Sequence, residues 1–364
     1  MKISKLLLIA CLIFAACSTE DDGGSDNGGN TDDSFDRGAM LANWADNIIL
    51  PAYEDLNSNT QKLEELAQSF VDNPGNTELT VLKAQYKKSY QLFQNVSIFD
   101  IGKAEELNYR RFINSYPVDA SGVESKISSG SFDLELPSTF NAQGFPALDY
   151  LLYGVANNKE ETLSKYATGE NAENYKNYLL AVAKRINSLT NEVTTSWQGD
   201  YRDTFVNNTS SSSNGSVDRL TNKYVMYFEK FLRSGKIGFP SGAITGTPSP
   251  INVEAFYTED FSKQLYLEAL HSSKDFFTGG SGESYQAYLE ALGRGDLADD
   301  ILAQFNAIEA QSGDLDKSLR NQVETNNTLM LEVHDELQRE VVLLKLDMLQ
   351  ALSISVDYID SDGD

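Results

Sequence analysis

Toward the end of the chain, Leu319, Val323, Met330, Val333, Leu337, Val341, Leu344, Met348 and Leu352 recur at intervals of three and four. A helical period of 3.6 places all of them on one stripe, which has to be covered by other helices. The final third, Val341 to Leu352, is apolar nearly all round and belongs in the middle of a bundle. Tyr175, Leu179, Val182, Ile186, Leu189, Val193 and Trp197 repeat the pattern, predicting a helix of about seven turns from the mid-170s into the high 190s. Leu41, Trp44, Ile48, Leu56, Leu63, Leu66 and Phe70 describe an earlier long helix, expected to kink or break before Pro51. Leu82, Tyr86, Tyr90 and Phe93 give another, starting after the turn Asn73-Pro74-Gly75-Asn76. No run sustains the two-residue alternation of a strand between turn signals, so the predicted class is all-α, with helices packed as bundles.

The chain has 364 residues, enough for two domains, and its most loop-like internal stretch is the serine-rich segment Asn207 to Ser216. This places one helical bundle at 35–207 and a second at 208–364. The second is signalled by Leu220, Tyr224, Tyr227, Phe228 and Phe231, then by Phe261, Leu265 and Leu270, and by Ile301, Phe305 and Ile308. Six of the eight prolines fall in two irregular segments, from Pro117 to Pro146 and from Pro240 to Pro250. Long irregular connections in a helical protein are more often functional than ornamental. The second, Lys236 to Phe256, is expected beside the first if the bundles arose by duplication.

The first irregular segment runs into Gln143-Gly144-Phe145-Pro146-Ala147-Leu148-Asp149-Tyr150-Leu151-Leu152-Tyr153-Gly154. Gly144 permits backbone angles closed to other residues, and Pro146 suits a first helical turn, where its missing N–H costs nothing. Phe145, Leu148, Leu151 and Leu152 line one apolar face, and Gly154 is placed to end the helix. Asp149 is expected in the first turn, where it either complements the helix dipole or binds a ligand.

At the other end, Lys2 and Lys5 precede an apolar run, Leu6 to Ala16, too short to span a bilayer. The run ends in Ala15-Ala16-Cys17, which resembles a bacterial lipoprotein signal with Cys17 as the lipidated residue, whereas Cys11 follows a much shorter run. The acidic stretch after Cys17 resembles an export signal of surface lipoproteins. Residues 18 to 34 are mostly Gly, Ser, Asp and Asn with almost nothing apolar, the composition of a tether. The expected location is therefore the cell envelope, as an outer-membrane lipoprotein facing the periplasm or the cell surface. Beyond Cys17 there is no cysteine, which excludes disulfides, thiolate metal sites and a cysteine nucleophile from the folded body. A formal net charge of −25 repels nucleic acid and suits cations or basic partners.

Residues for metal or acid–base chemistry are sparse. His271 and His334 are the only histidines, and neither stands in a His-x-x-x-His or His-x-x-Glu spacing. No glycine-rich phosphate loop or Gly-x-Ser-x-Gly elbow is present. An oxygen-only site remains conceivable, with Asp119, Asp149 and Glu254 converging on calcium, or on ferric iron with Tyr116 assisting. Arg110 and Arg111 offer either a carboxylate fork or partners for internal acids. The tail Asp360 to Asp364 has the alternating acids of a calcium loop without its closing glutamate, so it reads as a frayed terminus.

Several segments in order resemble the imelysin family of bacterial envelope proteins: Ile49-Leu50-Pro51-Ala52-Tyr53, Tyr116-Pro117-Val118-Asp119 after the arginine pair, Gly144 to Gly154, and the ending from Ala351-Leu352 to Asp364. The resemblance implies two helical bundles with the Gly144 to Gly154 segment near their interface. It also implies an association with iron uptake, with envelope uptake partners, and an older classification of some members as metallopeptidases. Metal-linked members carry Gly-x-His-x-x-Glu, with His and Glu as proposed ligands. Here Pro146 stands in the place of His and Asp149 in the place of Glu, as in the family's lipoprotein branch. A peptidase zinc site needs three protein ligands and an open position, and this segment supplies one. The expected function is a non-catalytic binding protein for iron or another ligand. The competing readings are an imelysin-type metallopeptidase and a scaffold that docks a partner.

Overall fold

In the computed structural model, which describes residues 35–358, helical backbone begins at Arg37, where the Asp36 side chain accepts from the Ala39 N–H. The signal-like segment, Cys17, the 18–34 tether and the tail Asp360 to Asp364 lie outside the described residues. Helix α1 (37–72) runs through Arg37–Asn43, the π-helical stretch Trp44–Ile49 and Leu50–Asp72. Of the kink or break expected before Pro51, the break does not occur, and a π-helical stretch stands there instead. The Leu50 N–H bonds to the Ala45 carbonyl, five residues back, so the hydrogen-bond register has already slipped when Pro51 enters without a donor. The same arrangement recurs in the second half, where the π-helical Tyr227–Gly238 runs directly into Phe239–Ser241 and its Pro240.

The other long helices are α2 (Asn76–Val96), α3 (144–154), α4 (Ala172–Gln198), α5 (216–241), α6 (Ser262–Thr278), α7 (Gly295–Ser312) and α8 (319–351). Helix α8 is bent at Asn326, whose φ of −149° and ψ of 73° are not helical; the Gln322 side chain donates to its carbonyl at 2.6 Å. Among the described residues there is no strand, and the protein is all-α.

Helix α1 packs along both α2 and α4, burying Leu56, Leu63 and Phe70 against Tyr86, Tyr90, Phe93, Leu179 and Ile186. Each such side chain stabilises by roughly 1.5–3 kcal/mol before conformational entropy is charged against it. In the second half, α8 packs on α5 and α7, and α6 crosses onto α2 to join the halves. Trp44 of α1 lies 5.0 Å from Phe276 of α6 and 4.7 Å from Tyr285, ring to ring. The buried apolar side chains form one cluster from Met40 to Ile354.

Among the buried acids, Glu340 stands out by its lack of hydrogen-bond partners among the described residues. Glu340 of α8 is fully buried, neither carboxyl oxygen has a hydrogen-bond partner among the described residues, and burial pushes its pKa well above the usual carboxylate range. A pKa raised in the folded state gives stability that is complete below about pH 4.5 and fades as pH rises. Glu340→Gln should therefore be more stable than the wild type at pH 8. Urea unfolding at pH 8 and pH 4 checks this, with the gap closing at the lower pH.

Candidate functional site

Helix α3 starts at Gly144, and only glycine fits there. Its φ is +73°, and a Cβ would lie 2.2 Å from the Ile113 carbonyl oxygen and 2.6 Å from that of Phe112. The irregular segment before it is held by Gln143, whose amide donates to Leu134 O at 2.7 Å and Thr139 Oγ1 at 2.8 Å. The α-turns Gly144–Asp149 continue into a π-helical stretch, Tyr150–Gly154, and Phe145, Leu148, Leu151 and Leu152 are all buried. Asp149 thus stands at the junction of α and π turns rather than in the first turn.

Asp149 is 2% exposed and has no cationic partner among the described residues. Its Oδ2 accepts the backbone N–H of Tyr257 at 2.7 Å; its Oδ1 accepts the Thr258 hydroxyl at 2.5 Å and the Tyr86 hydroxyl at 3.3 Å. Burial pushes the carboxyl up to about 6, and the donors from Thr258, Tyr257 and Tyr86 limit the rise. The acid therefore fastens α3 to the second irregular segment and to α2. The irregular chain is shorter than expected at its start, because Lys236 to Ser241 are helical, and it continues past Phe256 to the helix at Ser262, so that Tyr257 and Thr258, just beyond the expected segment, reach Asp149.

Glu254, four residues before Thr258, belongs to a separate buried cluster. It is 3% exposed and ion-paired with Lys236, also 3% exposed; its Oε1 accepts from Asn114 at 2.7 Å and Gln94 at 3.3 Å. Burial lowers the Lys236 pKa and Glu254 opposes that shift. Tyr90 extends the cluster by donating to Asn114 Oδ1 at 2.6 Å. Tyr116 lies near enough to feel the Glu254 carboxylate, which adds to burial in raising its phenol.

The remaining candidates are placed elsewhere. Asp119 caps the helix Ala120–Ser129, accepting from the Gly122 N–H at 2.9 Å and the Ser121 hydroxyl at 2.8 Å, which lowers its pKa. Asp119, Asp149 and Glu254 therefore do not converge, because each is engaged by its own donors. Among the described residues no three His, Cys, Asp or Glu side chains gather as a metal site. Arg110 is buried, pairs with Asp100 at 2.6 Å, and lies 4.1 Å from the Phe231 ring centroid; it serves an internal acid. Arg111 is exposed and covers the Phe140 ring at 4.6 Å.

Beyond Asp149, the π-helical end of α3 borders a cavity of about 660 Å³ lined by Gly154, Val155, Asn157, Glu124, Lys165 and Tyr175, among others. Glu124 accepts one phenol on each oxygen, from Tyr150 and Tyr175, both at 2.6 Å. Sequence reasoning missed this acid. It sits in a short helix with no motif around it, and its tyrosine partners are distant in the chain.

The sequence profile described as Imelysin matches residues 49–340. The chain belongs to the imelysin family. Two solved structures share the fold. An imelysin-like protein from Psychrobacter arcticum 273-4 is 18% identical with a TM-score of 0.71, the match covering 88% of this chain and 97% of that one. A protein from Parabacteroides distasonis ATCC 8503, described as a "putative iron-regulated protein A precursor", is 19% identical with a TM-score of 0.70, covering 88% and 96%. No curated protein matches the chain. In this imelysin-family chain, Pro146 is buried inside the first turn of α3 and brings no ligand atom, while Asp149 spends its oxygens on Tyr86, Tyr257 and Thr258.

Two outcomes follow from this geometry. Gly144→Ala should destabilise by on the order of 3 kcal/mol, from the positive φ and the carbonyl contacts together, as read by thermal or urea unfolding. Asp149, with a folded pKa near 6 against about 3.8 unfolded, contributes stability that is complete below about pH 4 and lost as pH rises through about 6. Between pH 4 and pH 7 the wild type should therefore lose on the order of 3 kcal/mol relative to Asp149→Asn. Parallel stability curves for the two proteins would refute that assignment.

Proposed function

We propose that this imelysin-family protein is an envelope-anchored binding protein, without peptidase chemistry, that takes part in the uptake of iron or another ligand. The observation that carries the reading is the occupation of the family's metal-motif position by Pro146 together with the commitment of Asp149 to Tyr257, Thr258 and Tyr86. A zinc-activated water needs three protein ligands around an open position, and an acid engaged by three neutral donors with Pro146 beside it in the motif offers one ligand at most. Support for a link to iron comes from the description of the Parabacteroides relative as iron-regulated. Support for an envelope location comes from the lipoprotein-like Leu6 to Cys17 segment. In this reading the anchor is lipidated Cys17; among the described residues, no helix is long and apolar enough to cross a membrane.

Protein beginning at residue 35 should leave denatured casein intact with or without added zinc. Cleavage by the wild type that is lost in Asp149→Ala would establish the peptidase reading instead. Calorimetry and thermal shift with ferric citrate, calcium and haem should give saturable binding of at least one of them. Silence from all three would remove the link to metal uptake.

A further inference from the structure

The cavity at the π-helical end of α3 has a floor built around one fixed charge. Glu124 would be free to rotate on a solvated helix, yet the hydroxyls of Tyr150 and Tyr175 hold its two oxygens at 2.6 Å each. Both phenols come from nearly buried side chains, and burial together with the Glu124 carboxylate keeps them protonated as donors. Each carboxylate oxygen can accept more than one hydrogen bond, so the clamp orients the acid without exhausting it. Glu161 and Glu170 add negative charge at the rim. The Tyr175 ring supplies an aromatic face, and the Lys165 ammonium lies 5.4 Å from its centroid. The protein thus already holds one ammonium group over this ring face, in a cavity that Glu124, Glu161 and Glu170 also line.

We infer that this cavity is a binding site for an organic cation, a primary amine or diamine, whose ammonium replaces that of Lys165 over the Tyr175 ring while Glu124 accepts from it. The volume of about 660 Å³ admits a ligand larger than a single ammonium group. The net charge of −25 draws cations toward the surface and disfavours anions. Lys165 acts as a tethered competitor, which sets the sign of its substitution opposite to that of Glu124. The site is distinct from the Asp149 position and uses no metal, so it stands or falls separately from the iron reading above.

The test is calorimetric titration of metal-free protein with 1,4-diaminobutane and with benzylamine at low and high salt, using succinate as the anionic control. Saturable amine binding that weakens with salt is expected, with no succinate binding. Glu124→Gln should weaken the amine by about tenfold or more, and Lys165→Met should tighten it by about threefold or more. Circular dichroism establishes that each variant is folded. Lys165 is a partly exposed side chain, so if Glu124→Gln fails to fold, the Lys165→Met result decides alone. Equal affinity in wild type and Glu124→Gln, no tightening in Lys165→Met, or no amine binding by either the wild type or Lys165→Met would overturn the assignment.

Discussion

The arrangement around α3 depends on a single buried carboxylate that answers to donors rather than to a cation. Asp149 joins three pieces of chain that are far apart in sequence: its own helix, Tyr86 of α2, and Tyr257 with Thr258 in the irregular segment after α5. Burying an acid without a counter-ion is costly, and the cost is visible in a pKa near 6. The donors limit that cost, and breaking any of them leaves the acid uncompensated in a place that water does not reach. Such a contact is selective: it holds only when both irregular segments are in place. The neighbouring Glu254–Lys236 pair, satisfied by Asn114 and Gln94, joins the same segment to α2 and α5 by a different route. Two independent polar ties therefore position one loop against α3.

Proline and π-helical turns form the second theme. At Pro51 and Pro240 the chain keeps helical backbone through a residue that ordinarily ends it, and in both places a π-helical stretch comes immediately before. The π register takes up one additional residue and shifts the carbonyls that the proline would otherwise leave unpaired. At α3 the order is reversed: Pro146 lies in the opening turn and the π stretch follows Asp149. There the wide turns carry Tyr150 onto Glu124, next to the cavity.

The helices were legible in the sequence because burial follows the 3.6-residue period, as Tyr175 to Trp197 and Leu319 to Leu352 show. The special backbone at Gly144 was legible too, since Gly-x-Pro announces both a positive φ and a helix start. A one-residue slip in register leaves that period almost unchanged, so the π stretches could not be read, and Pro51 looked like a kink or a break. The bend at Asn326 was hidden for the same reason. Site residues were harder. Asp149, Glu254 and Asp119 share a residue type but take three different partners, and a hydrogen-bond partner supplied by a loop a hundred residues away leaves no local pattern. Glu124 had no signal at all, because its meaning comes from two tyrosines on other helices.

The most direct test of the central claim is amide hydrogen exchange at Tyr257 and Thr258 in the wild type and in Asp149→Ala, at pH 7 and without added metal. A carboxylate that fastens this loop to α3 predicts protection at Tyr257 in the wild type and its loss at Tyr257 and Thr258 in the variant, with α1, α2 and α4 unchanged. Equal exchange in the two proteins, or protection that appears only when a metal ion is added, would contradict it.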